Sequence, residues 1–188
     1  MDPLDGTTDY VNGSTYHCVS VALAIEGRPV VGVVDRPATG DRYAAVAGEG
    51  ATRNGEPIGV SSTADLGDAY LGTGISPPAA TDEHYRALYD YCIREGNTQG
   101  VRQRGSAALD LCRVARGTFD GFFDMYTSPW DVAAGAFVLT EAGGRVTDYG
   151  GEPLDYSADE RMIHVVGTNG QLHDRFLELA EALAPETG

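Results

Sequence analysis

Asp2-Pro3-Leu4-Asp5-Gly6-Thr7-Thr8-Asp9-Tyr10 opens the sequence and is its most informative stretch. Two carboxylates three residues apart straddle a proline. That ring fixes the backbone, so both side chains and an intervening carbonyl can converge on a hard cation. Gly-Thr-Thr then predicts a helix start. Gly6 allows close approach of a ligand to the backbone, the free N–H groups of the first turn favour an anion, and the Thr7 hydroxyl can hold a metal or a water. Magnesium beside phosphate would suit such a segment. The same residues also read as an Asp-rich N-capping turn with no ligand at all.

Two further segments have the same character. Trp130-Asp131-Val132-Ala133-Ala134-Gly135 puts an Asp at the predicted start of a helix whose next turns are small enough to pack closely on a sheet. Arg104-Gly105-Ser106-Ala107-Ala108-Leu109-Asp110-Leu111 is a glycine-led helix start that offers N–H groups and a hydroxyl. Each alone is an ordinary cap.

Around these motifs the chain changes its pattern once. Strands are expected at 17–25, 29–35 and 41–46, forming an antiparallel meander with turns at Glu26-Gly27-Arg28 and Ala38-Thr39-Gly40 and a short edge strand at 57–61. Gly48-Glu49-Gly50 and Asn54-Gly55 read as tight turns. From about Leu66, strands alternate with helices. Helices are expected at 83–95, 107–116, 131–142 and 169–183, the last capped by Asn169, and strands at 69–72, 119–125, 144–147 and 162–166. This is α/β (α+β) architecture with at least two sheets, divided into a lobe at 1–62 and a lobe at 63–188.

Composition bounds the function. The 188 residues carry 13 basic and 28 acidic side chains, a formal charge of −15, which argues against a nucleic-acid binder. Every basic residue is Arg. A lysine-free, acidic chain suits a high-salt cytoplasm, where a Debye length of about 3 Å screens the self-repulsion; a GC-rich base composition is the alternative source of the missing lysines, though it does not by itself create the acidic excess. There is no apolar run of membrane-spanning length and no signal sequence, so a cytoplasmic protein without membrane partners is expected. Cys18, Cys92 and Cys112 read as buried thiols. His17, His84, His164 and His173 read as structural. Neither a GxxxxGK[ST] nor a GxGxxG motif is present, which disfavours a nucleotide-binding module.

Taken together, the three segments, with Glu141-Ala142-Gly143-Gly144 completing the last, resemble the motifs of the inositol monophosphatase family of magnesium-dependent phosphatases. The resemblance runs from residue 2 to about 184. It implies a layered αβαβα sandwich of the sugar-phosphatase type. It also implies that Asp2 bridges metals, that the Leu4 carbonyl and Thr7 complete one Mg2+ shell, and that Asp5 and Asp131 hold another cation. Gly6, Thr7 and Thr8 would bind phosphate; Gly105, Ser106 and Ala107 would line the substrate pocket; Asp124 would hydrogen-bond substrate hydroxyls, its alternative being a solvated strand-end charge. The implied chemistry is in-line attack of metal-activated water on a small phosphorylated polyol or sugar, with Asp2, Asp5, Thr7 and Asp131 as the catalytic set and a homodimer as the working form. Inositol monophosphate is the first substrate expected, and a fructose-1,6-bisphosphatase-type activity is the alternative.

The resemblance also implies a departure. Family members carry a helical pair and a β-hairpin before the first motif, which supply a metal-binding glutamate. This sequence is thus expected to be N-terminally truncated relative to the family, with an apolar sheet face exposed. A catalytically incomplete fragment is the remaining alternative. Glu49 is the one glutamate named as a substitute ligand.

Overall fold

The computed structural model describes residues 1–94, 96–156 and 162–185. β1 (Asp2–Asp5), β2 (Cys18–Ile25), β3 (Arg28–Arg36), β4 (Asp41–Val46), β5 (Gly50–Arg53) and β6 (Glu56–Pro57) form one antiparallel sheet in chain order, with α1 (Thr7–Val11) between its first two strands. Alternation decides its faces. Cys18, Ser20, Val34, Tyr43 and Ala45 point inward and are buried. The opposite rows run Val21–Val33–Ala44 and Leu23–Val31–Val46 across the strands. On that outer face Leu23 is 57% exposed and Val46 42%.

The second sheet has the order β10-β11-β9-β7-β8, built from β7 (Tyr70–Thr73), β8 (Gly100–Gln103), β9 (Gly121–Thr127), β10 (Arg145–Thr147) and β11 (Ile163–Thr168). β7 runs parallel to β8 and β9, whereas β11 is antiparallel to β9 and β10. Neighbouring residues of β9 serve different cores. Phe122 packs with α3 (Ala107–Ala115) and α4 (Pro129–Glu141), while Phe123 packs with α2 (Glu83–Ile93) and α5 (His173–Ala182). The order is therefore sheet, α3/α4, sheet, α2/α5, four layers of the expected sandwich.

The central helix pair sets the spacing of these layers. A Cβ on Gly135 of α4 would stand 2.8 Å from the Ala108 carbonyl of α3, and one on Gly32 of β3 would stand 2.9 Å from the Ala134 carbonyl. The small residues of α4 thus admit a helix on one side as well as the sheet on the other. Residues from both parts of the chain, Val34 and Tyr43 with Leu111, Val138 and Val165, share one apolar cluster.

Several expected elements differ from those observed. The strand expected at 57–61 ends at Pro57; beyond it the Ile58 and Val60 N–H groups bond to Ala51 and to Ala142 at the end of α4, which carries the chain off the sheet edge. β1, β5 and β8 are additional strands, short and polar, held by their partners. α4 starts at Pro129, with Ser128 as cap and Asp131 in its first turn. α5 starts at His173, while Asn169 bonds to the Leu172 N–H and to Thr63. His17 precedes β2 and lies outside any strand. α2 ends at Ile93, and Glu95, at the end of the helix expected there, lies outside the described residues. All three cysteines are buried and free. No helix among the described residues is long and apolar enough to cross a membrane.

Candidate active site

The three sequence motifs meet because three helix starts aim at one place. The backbone turns into α1 at Gly6, which adopts a left-handed conformation with φ of 85°. A side chain there would stand 2.6 Å from the Tyr16 carbonyl, so glycine is required twice over. Ser106 caps α3 by accepting from the Leu109 N–H. Ser128 and Asp131 form a reciprocal capping box at α4.

Asp5 ties the first motif to the second. Its carboxylate accepts from the Ser106 hydroxyl at 2.6 Å and from the Ala108 N–H at 3.0 Å, across a sequence separation of about a hundred residues. Ser106 is thus more than a pocket wall, since it holds Asp5 and starts α3. Asp2 accepts from the Leu4 N–H, and the Thr7 hydroxyl donates to the Leu4 carbonyl at 2.9 Å. Two of the expected metal-ligand groups, those of Leu4 and Thr7, are therefore paired with each other.

A cavity of about 550 Å³ opens between these elements. Of the residues singled out from the sequence, Asp5, Thr8, Gly105, Ser106, Ala107, Asp124 and Asp131 line it. Asp2, Leu4, Gly6 and Thr7 do not, although Asp2 is in hydrogen-bonding reach of Asp131. Asp124 is a buried β9 residue and no solvated strand-end charge, and its Oδ1 has no hydrogen-bond partner among the described residues. Its carboxylate lies so close to Gly74 that a Cβ there would collide with it.

Other wall residues carry weaker signals in the sequence. Asp9, Ser76, Arg104, Asp110 and Tyr126 also line the cavity. Asp9, Arg104 and Asp110 lie within the motif segments, whose pattern assigns them no role. Tyr126 has φ of 63°, rare for a bulky residue, at the register shift where β9 leaves β11. Its hydroxyl donates to Asp82 at 2.7 Å. Glu49 is exposed on the β4–β5 turn beside Glu141, which accepts from Gly48 and Gly50. That is the far end of α4 from Asp131, too distant for Glu49 to join the other carboxylates.

The electrostatics are those of crowded acids. Burial, then the charge of Asp5 and the proximity of Asp2, push the Asp131 carboxyl up to about 7. Burial, with Asp131 and Asp5 adding repulsion, does the same for Asp124, and burial raises Asp5 to about 6 despite its hydrogen bonds. Among the described residues no group of three His, Cys, Asp or Glu side chains forms a ready-made cation cluster. The donors at hand are nevertheless all oxygen, the set that a hard divalent cation takes, and a cation would offset both the burial and the mutual repulsion that lift these carboxyls. The residues fit such an ion in chemistry.

A pH dependence follows. A carboxyl whose folded pKa exceeds its unfolded value of 3.8 adds stability at low pH that is lost as pH rises through the folded value, here about 6 to 7. The cation-free chain in chelator is expected to melt higher near pH 5 than near pH 8, by calorimetry, and magnesium at the higher pH is expected to narrow the difference. A melting temperature that falls with acidification over this range would contradict the crowding.

Comparison with known proteins places the whole arrangement. The model of the inositol monophosphatase family matches residues 1–184. An inositol-1-monophosphatase of Synechocystis sp. is 41% identical over 186 residues, 98% of this chain and 61% of that protein. A Nus factor SuhB of Pasteurella multocida is 40% identical over 152 residues, 80% of this chain and 56% of that protein. The structure of an inositol monophosphatase from Anabaena (Nostoc) sp. superposes with a TM-score of 0.87 at 41% identity, covering 98% of this chain and 71% of that one. The chain spans about three fifths of the length of such curated relatives.

Proposed function

The chain belongs to the inositol monophosphatase family, and from that premise we propose that it serves a magnesium-dependent phosphomonoesterase acting on inositol monophosphate or a similar small polyol phosphate. The observation that carries this is the convergence of Asp5, Asp124 and Asp131 with the starts of α1, α3 and α4 on one cavity. The name of the Synechocystis relative supports inositol 1-phosphate as first substrate.

Each group then has a task. Magnesium, held by Asp2, Asp5 and Asp131 with the Leu4 carbonyl and the Thr7 hydroxyl, would supply a Lewis acid and an activated water. Gly6 and Thr8 place the α1 start against the phosphate, and the Gly105–Ala107 stretch does so from the α3 start. The N–H groups of Ala108 and Leu109 are already committed to Asp5 and Ser106. Anion binding therefore falls to the residues before them. The partnerless Oδ1 of Asp124 accepts a substrate hydroxyl, which satisfies a buried polar atom and orients the polyol. Residues 1–62 bring Asp2, Asp5 and the α1 start to the site, and the lobe at 63–188 brings Asp124, Asp131 and the α3 and α4 starts. The −15 charge fits work at high salt.

The test is a panel of esters in magnesium buffer at low and molar KCl, read as phosphate release. Inositol 1-phosphate is expected to show the highest kcat/KM among monophosphates, with activity kept at molar salt. Release from none of them would overturn the reading.

A further inference from the structure

Tyr126 stands at the cavity wall in a backbone conformation that a bulky side chain disfavours, with φ of 63°. Alternation along β9 puts Phe122 and Asp124 on one face and Phe123 and Met125 on the other. The positive φ breaks that alternation where β9 leaves β11. The Tyr126 ring therefore packs on the core of Phe123 and Met125 and also reaches the cavity. Two contacts hold it there. Its hydroxyl donates to Asp82 at 2.7 Å, and the other oxygen of Asp82 caps α2 by accepting from the Tyr85 N–H at 2.9 Å. The ring also packs against His164 of β11, the centroids 4.9 Å apart and the planes at 81°. Strain kept at a wall residue and braced from two other elements marks a position set for a ligand.

The neighbours of Tyr126 show which ligand chemistry it suits. Ile75 packs on the same core and lines the same cavity. The Ser76 hydroxyl donates to the Met125 carbonyl at 3.4 Å, which sets the 74–76 stretch alongside the end of β9. Ile75 and Tyr126 thus form an apolar strip beside the buried Asp124 carboxylate, in a wall that is otherwise mostly polar. With its hydroxyl committed to Asp82, Tyr126 offers the substrate its ring.

We propose that Tyr126 is a specificity-determining residue whose ring selects cyclic over open-chain leaving groups. A cyclic polyol carries hydroxyls around its edge and C–H bonds on its faces. Asp124 takes a hydroxyl at the edge while the Tyr126 ring, with Ile75, covers a C–H face. A glycerol leaving group has no such face. The assignment rests on the phosphomonoesterase reading for its role, but the discrimination can be read in binding without turnover.

The probe pair is inositol 1-phosphate and glycerol 2-phosphate, both esters of secondary alcohols, one cyclic and one open. Their affinities are measured on the full chain by calorimetry and, in parallel, as kcat and KM for phosphate release. Tyr126→Gly is expected to lower the preference for the inositol ester about tenfold, through its KM, with kcat and the glycerol ester little changed. Glycine adopts a φ of 63° without strain, so this variant should fold. Tyr126→Phe keeps the ring and gives up the bond to Asp82, and its preference is expected to stay within about threefold of the parent's. A binding preference that falls in Tyr126→Gly without phosphate release from either ester would uphold the role of Tyr126 and sink the hydrolase reading. An unchanged preference in Tyr126→Gly, equal losses for both esters, or a preference in Tyr126→Phe as low as in Tyr126→Gly would overturn the assignment.

Discussion

Asp131→Asn is expected to cut magnesium-dependent phosphate release by about a thousandfold or more while the cation-free protein becomes more stable near neutral pH. The two effects have one cause. Asp131 sits at the start of α4, where burial, and then the nearness of Asp5 and Asp2, raises its carboxyl to about 7, so ionising it costs the apo chain free energy that a bound cation would return. Asparagine keeps the volume and can still accept from the Ser128 N–H, which retains the capping box's contact at the helix start. The variant should therefore fold, melt higher than the parent in chelator at about pH 8, and gain little on addition of magnesium. If magnesium raised the melting temperature of both proteins equally, Asp131 would not be a ligand.

The second large effect concerns the scaffold. Gly135→Val is expected to destabilise the chain by about 3 kcal/mol, read as a fall in Tm of roughly 6–12 °C for a chain of this size. The added Cβ would meet the Ala108 carbonyl and Cα and the Leu111 Cβ, at 2.8, 3.1 and 3.1 Å. Two of these are backbone atoms of α3, which no rotamer change can move. Thr140→Val, which exchanges one β-branched side chain for another at an exposed position of the same helix, is expected to stay within about 0.5 kcal/mol of the parent. Because Ser106 and Asp131 lie at the starts of the two crossing helices, pushing those helices apart also misplaces Asp5 relative to Asp131. A wild-type melting temperature for Gly135→Val would show that the crossing is looser than the contact distances imply.

The site was legible in the sequence where its chemistry is local. Gly6, Ser106 and Asp131 announce themselves because a helix start needs a particular residue within a few positions of itself, whatever the rest of the chain does. The α3 and α4 helices and the long β2, β3 and β9 strands were legible for the same reason, since periodicity is a property of consecutive residues. What comes from pairing at a distance was not legible. Asp2–Asp5 becomes a strand only because Asp2 faces Ser20 and Asp5 faces Cys18, and Gly100–Gln103 only because Tyr70–Thr73 runs beside it in parallel. Neither run is apolar enough to read as a strand alone. Likewise nothing near Tyr126 in the chain foretells its bond to Asp82, and nothing near Asp124 foretells the approach of Gly74. Glu49 failed for the converse reason: a suitable residue type on a turn, set by the fold at the wrong end of α4.

The central claim is that the carboxylates around this cavity hold a divalent cation in the service of phosphate-ester hydrolysis. It is tested most directly by phosphate release from inositol 1-phosphate as magnesium is raised from zero, in the unmodified protein and in Asp131→Asn. Release that saturates with magnesium, vanishes in chelator and is lost in the variant is the predicted result. Release that is the same with and without magnesium, or unchanged by the substitution, would contradict it.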